Sequence, residues 1–565
     1  MGELSKRTVD TDVLVVGGGL AGCMAAIRAS ELGASVVLAE KGNTARSGCA
    51  ATGIDHCWTY IPEIHGSQLS VEDLVRDHTE FAEGFINQEL ALFIANNSYK
   101  RVQDLERFGV PMRDDSGNYR LVKKIHRVPT FLHFAGRDLK VKLTQEASRR
   151  PLTIMNRMMV TELLTDNGAI RGAIGINTRT AEFTLFRAKT VVLATGNIYR
   201  LYRNPTGMFF NTGYPGTETG DGHAMAYRAG ADLINMEFTT FHTGPKNFQR
   251  LGRGSYTPGG TMIDGHGNPL GGAKPTPNTG SRFAIDRSVE SPRGFLKVLE
   301  EGRGPIYIDC TGASKEDLDY MKWALENEGN TAFLTHLAEE GLDLGRDKIE
   351  FAVYEAKLGG GHSGVAIDTR CESAIKGLFA AGDCIGGVMR SVSPGAFTLG
   401  YHAGEVAAQQ ATETGEIELS ADNLAKVDEK KRLCEELLSR ETGPKWPEAL
   451  LALQNIMDYY VGRVRSETML EAGYNRLQKL RQRVYGELRA ESPHELMRCL
   501  EISNLLDNAE MVILSARERK ESRFGISHYR ADFPNTDDDK WFKFLAVKKQ
   551  DGRTVIHSRP ITHVF

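Results

Sequence analysis

Gly17, Gly19 and Gly22 stand at GxGxxG spacing, and an acid, Glu40, follows about 20 residues later. That set of residue types suits the binding of a dinucleotide. The first glycine permits a tight turn, the second lets the backbone approach a pyrophosphate, and the third lets a helix pack close to the preceding strand. An acid at the end of the next strand accepts hydrogen bonds from ribose hydroxyls.

The elements needed to position these residues can be read on either side. Asp12–Val16 (DVLVV) is a short β-branched run that suits a buried parallel strand. AGCMAAIRASELGA, following the glycines, reads as a helix whose N-terminal N–H groups and positive dipole end face the phosphates. Ser35–Leu38 (SVVL) reads as the second strand, ending at Glu40. The motif itself leaves FAD and NAD both open.

Two later segments bear on that choice. Val191–Gly196 (VVLATG) reads as a strand running into a small-residue turn, and Gly377–Asp383 (GLFAAGD) as a buried strand ending in Gly-Asp. This order resembles the flavoproteins with two dinucleotide-binding domains, in which a late acid binds the ribityl chain of FAD. The resemblance gives that role to Asp383.

Further segments narrow the resemblance. The stretch from Ala194, ATGNIYRLYRNPTGMFFNTGYPGTETGDGHAMAYRAGADLINMEF, is similar to the fumarate reductase/succinate dehydrogenase flavoprotein superfamily. EFTTFHTG (Glu237–Gly244) resembles its QFHPTG element, HSGVAIDT its HxxGG element, and ESRFGISHYRADFPNTDDDKW its C-terminal tail. TARSGCAATGIDHCWTY and GHSGV resemble, within that superfamily, the adenylylsulfate reductase α subunit. The chain departs from both branches. It lacks the EGxRGEGG pattern and the RFKDGYG segment, and Trp58 stands where the sulfur enzyme has a small amide.

The resemblance implies an FAD-dependent oxidoreductase moving electrons or hydride between flavin N5 and a small anionic substrate, either an unsaturated carboxylate or an adenylylsulfate-like molecule. FAD contacts are expected from Gly17, Gly19, Leu20, Ala21 and Gly22, and from Glu40 and Lys41. Others are expected from the next loop (Arg46, Ser47, Gly48, Thr52, Gly53) and from Ala194, Thr195 and Gly196. Asp221, Asp383, Ser393 and Gly395 complete the set. Arg46-Ser47-Gly48 replaces the flavin-linking RSH, so FAD is expected to be non-covalent. The resemblance assigns His242, His362 and Arg390 to the substrate anion, and Arg253 to proton donation or anion clamping, with Tyr256 as competitor. His56 and Trp58 could shape the pocket, and Arg137 and Lys140 are weaker candidates.

Composition sets the outer limits. The chain has 565 residues, too many for one core, and a net charge of −4 with acids and bases interspersed, which argues against nucleic-acid binding. No apolar run is long enough for a membrane span, and no signal segment precedes the first strand. Eight scattered cysteines with no CxxC pair exclude a locally ligated cluster and fit a reducing cytoplasm. Electrons would then arrive from a separate iron–sulfur or other carrier protein. The alternative is an electron-transferring component of a larger complex, with no small-molecule substrate of its own; a homo- or hetero-oligomer fits either reading. The expected fold is α/β: a Rossmann-like FAD-binding domain (1–240 and 351–415), an inserted α+β capping domain (241–350), a C-terminal helical bundle (416–520) and a tail (521–565).

Overall fold

The computed structural model describes residues 4–122, 128–203, 215–240, 243–248, 260–270, 297–353, 358–389 and 391–565. A seven-stranded sheet organises the expected FAD-binding domain. Lys6–Val16 lies near its centre, parallel to Val36–Glu40 on one side and Phe183–Leu193 on the other. Its first half is largely exposed, whereas Val13–Val16 are enclosed, as a β-branched run between two strands should be. Thr153–Asn156 extends the parallel edge beyond Val36–Glu40. Ala169–Asn177 and Met158–Asp166 add an antiparallel meander beside Phe183–Leu193, and Leu378–Ala380 also pairs with that strand.

The helix Leu20–Glu31 covers this sheet and is itself covered by Val392–Glu413. Their approach is very close: a Cβ at Gly400 or Gly404 would lie 2.5 or 2.2 Å from the carbonyl oxygens of Ala21 and Ala25. Residues 71–108, which read in sequence as an inserted helical stretch, form the helices Val71–Phe81 and Gln88–Arg107. A small three-stranded sheet joins His56–Trp58 to Phe131–His133 and Arg120–Val122, and sets His56 directly opposite His133.

The inserted segment builds its own antiparallel sheet, in the order Thr243–Pro245, Ile349–Val353, Ile306–Asp309, Thr261–Ile263, with helices Lys315–Asn327 and Thr331–Glu339. Its closing strand runs three residues past the expected boundary at 350, because the first strand needs Phe351, Ala352 and Val353 as partners.

Four helices follow: Ala421–Ser439, Trp446–Tyr460, Glu467–Glu487 and Pro493–Glu518. The segment HELMRCLEISNLLDNAEMVILSAR after Pro493 reads in sequence as an amphipathic run, but between Leu496 and Ala516 the last helix is enclosed on every side, because Arg498, Glu501, Asp507 and Glu510 are buried in pairs instead of facing water. The tail is also more than a tail. Phe544–Gln550 and Arg553–Arg559 form a hairpin that pairs with Leu233–Ile234 and returns the C-terminus to the FAD-binding domain. Among the described residues, no helix is long and apolar enough to cross a membrane.

Candidate active site

A cavity of about 270 Å³ opens where the strands of the seven-stranded sheet end. The glycine turn forms its floor. Gly17 has φ +100°, and a Cβ there would come within 2.4 Å of the Ala194 carbonyl oxygen. A Cβ at Gly22 would meet the Gly17 carbonyl at 1.8 Å, so Gly22 seats the helix on the turn and does not reach the cavity. Gly19 differs: a Cβ there would meet no protein atom within 4 Å, because it faces the open space of the cavity. Gly19 also caps the helix Leu20–Glu31 without any side-chain bond, which leaves the helix's first N–H groups for a ligand.

Glu40 is buried, and its two oxygens accept the Gly18 and Gly42 N–H groups, each at 2.6 Å. It therefore braces the turn while lining the cavity. Leu20 and Ala21 line the helix entry, and Ser47, Gly48 and Gly53 line the loop beyond. Ala194, Thr195 and Gly196 form the opposite wall, where Thr195 Oγ1 is buried without a hydrogen-bond partner. Asp383 and Ser393 close the far side. A glycine cradle with free space, an uncapped helix terminus and an orphaned hydroxyl together fit the pyrophosphate and hydroxyls of a dinucleotide.

Besides Gly22, four expected contacts sit differently. Arg46 is 55% exposed and pairs with Asp138 at 3.5 Å. Thr52 donates to the Glu328 carbonyl, and Gly395 packs against Ser391. Lys41 lines the cavity, but its ammonium donates to Asp221 (2.7 Å), Glu501 (2.8 Å) and Thr219 (2.9 Å). Arg200 and Arg498 donate to the other oxygen of Glu501 at 2.9 and 2.8 Å. Burial would raise the Glu501 carboxyl, but these three cations hold it down to about 2. The cluster ties the cavity wall at Asp221 to the helix Pro493–Glu518.

At the end nearest the capping domain, the wall holds Asp55, His56, Trp58, Phe131 and Glu328. Asp55 Oδ1 accepts from His56 Nδ1 at 2.5 Å, and its Oδ2 lies 3.6 Å from His133 Nδ1. Tyr320, from the capping domain, is hydrogen bonded to His133. Burial would raise the Asp55 carboxyl, but the charge of His56 and its hydrogen bond, with His133 close by, hold it well below the usual range. Sequence spacing singled out His56 without its partner. The adjacent acid at position 55 was the available signal, and His133 becomes a neighbour only through strand pairing.

His362 lies away from this wall. It stacks on Phe238 at 5.1 Å and meets Phe524 edge-on, so burial, reinforced by the Arg519 charge, lowers it to about 3. Its Nε2 is buried and unpartnered. His242, Arg253, Tyr256 and Arg390 fall outside the described residues. Arg137 is half exposed and pairs with Glu326, and Lys140 is buried, donating to the Thr44 carbonyl at 2.5 Å.

With this geometry in hand, comparison with known proteins is decisive. The "FAD binding domain" family model matches residues 12–396, and the "Fumarate reductase flavoprotein C-term" model matches residues 451–564. The chain belongs to the fumarate reductase/succinate dehydrogenase flavoproteins. Like other members it is an FAD-dependent oxidoreductase. Among its relatives is a fumarate reductase (CoM/CoB) subunit of Methanothermobacter marburgensis, 28% identical over 97% of this chain and 98% of that one. An L-aspartate oxidase of Vibrio cholerae is 27% identical over 94% and 97%. Adenylylsulfate reductase from Archaeoglobus fulgidus superposes with a TM-score of 0.87 at 24% identity, covering 100% of this chain and 97% of that chain, a likeness of fold.

Proposed function

We propose that this flavoprotein reduces a small unsaturated carboxylate, or runs that reaction in reverse, with FAD held non-covalently and electrons supplied by a separate iron–sulfur carrier. Bound FAD supplies the hydride chemistry. The protein must then orient the anion and manage a proton. When hydride adds to one carbon of a C=C bond, a proton must reach its neighbour to leave CH–CH.

The observation that carries this reading is the Asp55–His56 pair on the cavity wall, 2.5 Å apart, a carboxylate-braced imidazole able to hold and pass a proton. Near full-length similarity to a fumarate reductase component supports the same substrate class, and that relative's being one subunit of its enzyme supports a separate electron carrier. His242, His362 and Arg390 are the proposed anion-holding groups, with Arg253 as a second proton donor or clamp. Eight cysteines, none in a disulfide and seven of them buried, support a reducing, cytoplasmic setting.

Ligand binding to the oxidised holoprotein tests the substrate class, read as a difference spectrum of the flavin. Fumarate and succinate are expected to give saturable perturbations and AMP none. A response to AMP alone would move the protein to adenylylsulfate chemistry.

A further inference from the structure

Glu218 and Asp383 come from distant parts of the chain and are brought together on the cavity wall by shared donors. Asn197 Nδ2 donates to Glu218 Oε2 at 3.0 Å and to Asp383 Oδ2 at 2.8 Å. The Asn197 backbone N–H also donates to Glu218 Oε2, at 3.2 Å. The Cys49 thiol bridges the same two groups, 3.1 Å from Glu218 Oε1 and 3.6 Å from Asp383 Oδ2. Glu218 is only 5% exposed.

Among the described residues neither carboxyl has an ion-pair partner. Lys41, the cation on the same wall, is bonded to Asp221 and Glu501, and Glu40 is bonded to backbone N–H groups. The remaining ionisable wall groups, Asp55, His56 and Glu328, face one another at the capping-domain end. Two carboxyls that share donors, one buried and one half-buried, with no cation bonded to either among the described residues, cannot both ionise cheaply, so the pair retains a proton. In agreement, burial and then the Asp383 charge push the Glu218 carboxyl up to about 7.

We propose that Glu218 and Asp383 form a proton-binding pair in the FAD cavity, which holds one proton so that Glu218 meets FAD as a neutral hydrogen-bond donor. A carboxylate only accepts, whereas a carboxylic acid can also donate to the acceptor-rich cofactor. FAD therefore binds best to the protonated pair, and affinity falls as pH rises past neutrality. This reading depends on FAD binding and not on the identity of the substrate.

The test is the FAD dissociation constant of the apoprotein, followed by flavin fluorescence quenching between pH 6 and 8.5. The wild type is expected to weaken up to about thirtyfold across that range, since loss of one linked proton costs tenfold per pH unit above a midpoint at about 7. Glu218→Gln, a permanently neutral donor of the same shape, is expected to bind FAD within threefold of wild type at pH 6 and to lose the pH dependence. Asp383→Asn removes the neighbouring charge, so its transition is expected at lower pH whatever its absolute affinity. Cys49→Ser is expected to keep the wild-type transition. A flat wild-type profile, a tenfold loss for Glu218→Gln at pH 6, an unmoved midpoint in Asp383→Asn, or a transition abolished in Cys49→Ser would each overturn the proposal. The Asp383→Asn arm decides the matter if Glu218→Gln fails to fold.

Discussion

Asp55 sits between two imidazoles and has no exposure to solvent. Asp55→Asn keeps the shape but removes the anion, leaving His56 and His133 stacked at 5.4 Å without their shared partner. Breaking a buried, hydrogen-bonded charge cluster costs about 3 kcal/mol, and urea denaturation at pH 7 should show a loss of that order. The pH dependence follows from the sign of the shift. The folded carboxyl is depressed, so its contribution is present above the unfolded value of about 3.9 and is lost as pH falls through the folded one. The difference between wild type and variant should therefore shrink in strong acid and be full at neutrality. His56 was visible in the sequence as a residue that, with Trp58, could shape the pocket. Its bracing was only half visible: Asp55 adjoins it in sequence, whereas His133 becomes a neighbour through strand register and is itself bonded to Tyr320 of the capping domain.

The strand–turn–helix unit at Val16–Leu20 separates two roles for glycine. Gly17 is needed by the backbone, while Gly19 is needed by the ligand. Gly17→Ala places a methyl 2.4 Å from the Ala194 carbonyl oxygen in a left-handed conformation, so the purified protein should lose both stability and FAD. Gly19→Ala meets no protein atom and has an allowed backbone (φ −70°), so the apoprotein should melt as wild type does. Its methyl enters the cavity, and FAD affinity should fall at least about tenfold, a cost of ~1.4 kcal/mol. Absorbance at 450 nm relative to 280 nm, with apoprotein melting, checks both. This unit was the most legible part of the chain, because turn, helix and strand lie within about 25 residues and the spacing alone relates them. The helix Pro493–Glu518 shows the opposite case. Its apolar spacing suggested one exposed face, but ion pairs cover that face, with Lys41, Arg200 and Arg228 from elements far away in sequence and with Arg481 from the preceding helix.

Over the whole molecule, the C-terminal region is part of the cofactor cavity's support. Glu501 accepts from Lys41, Arg200 and Arg498 while fully buried, and through Lys41 it fixes Asp221 on the cavity wall. Glu501→Gln leaves three cations around a neutral amide and should cost about 3 kcal/mol in stability. It should also weaken FAD retention, although residue 501 does not line the cavity. A wild-type FAD affinity in a destabilised Glu501→Gln would show that the helices support the fold without supporting the site. Similarity in sequence over almost the full length could place the chain in its family, but it carried no trace of this long-range network.

The central claim, that the cavity brings a small unsaturated carboxylate to FAD, is tested most directly by reoxidation. The holoprotein is reduced anaerobically and mixed with fumarate, other unsaturated carboxylates or adenylylsulfate, while flavin absorbance is followed. The account predicts rapid recovery with at least one unsaturated carboxylate, recovery slowed about a hundredfold or more in His56→Asn, and none with adenylylsulfate. Recovery with adenylylsulfate alone, or with no member of the panel, would contradict it.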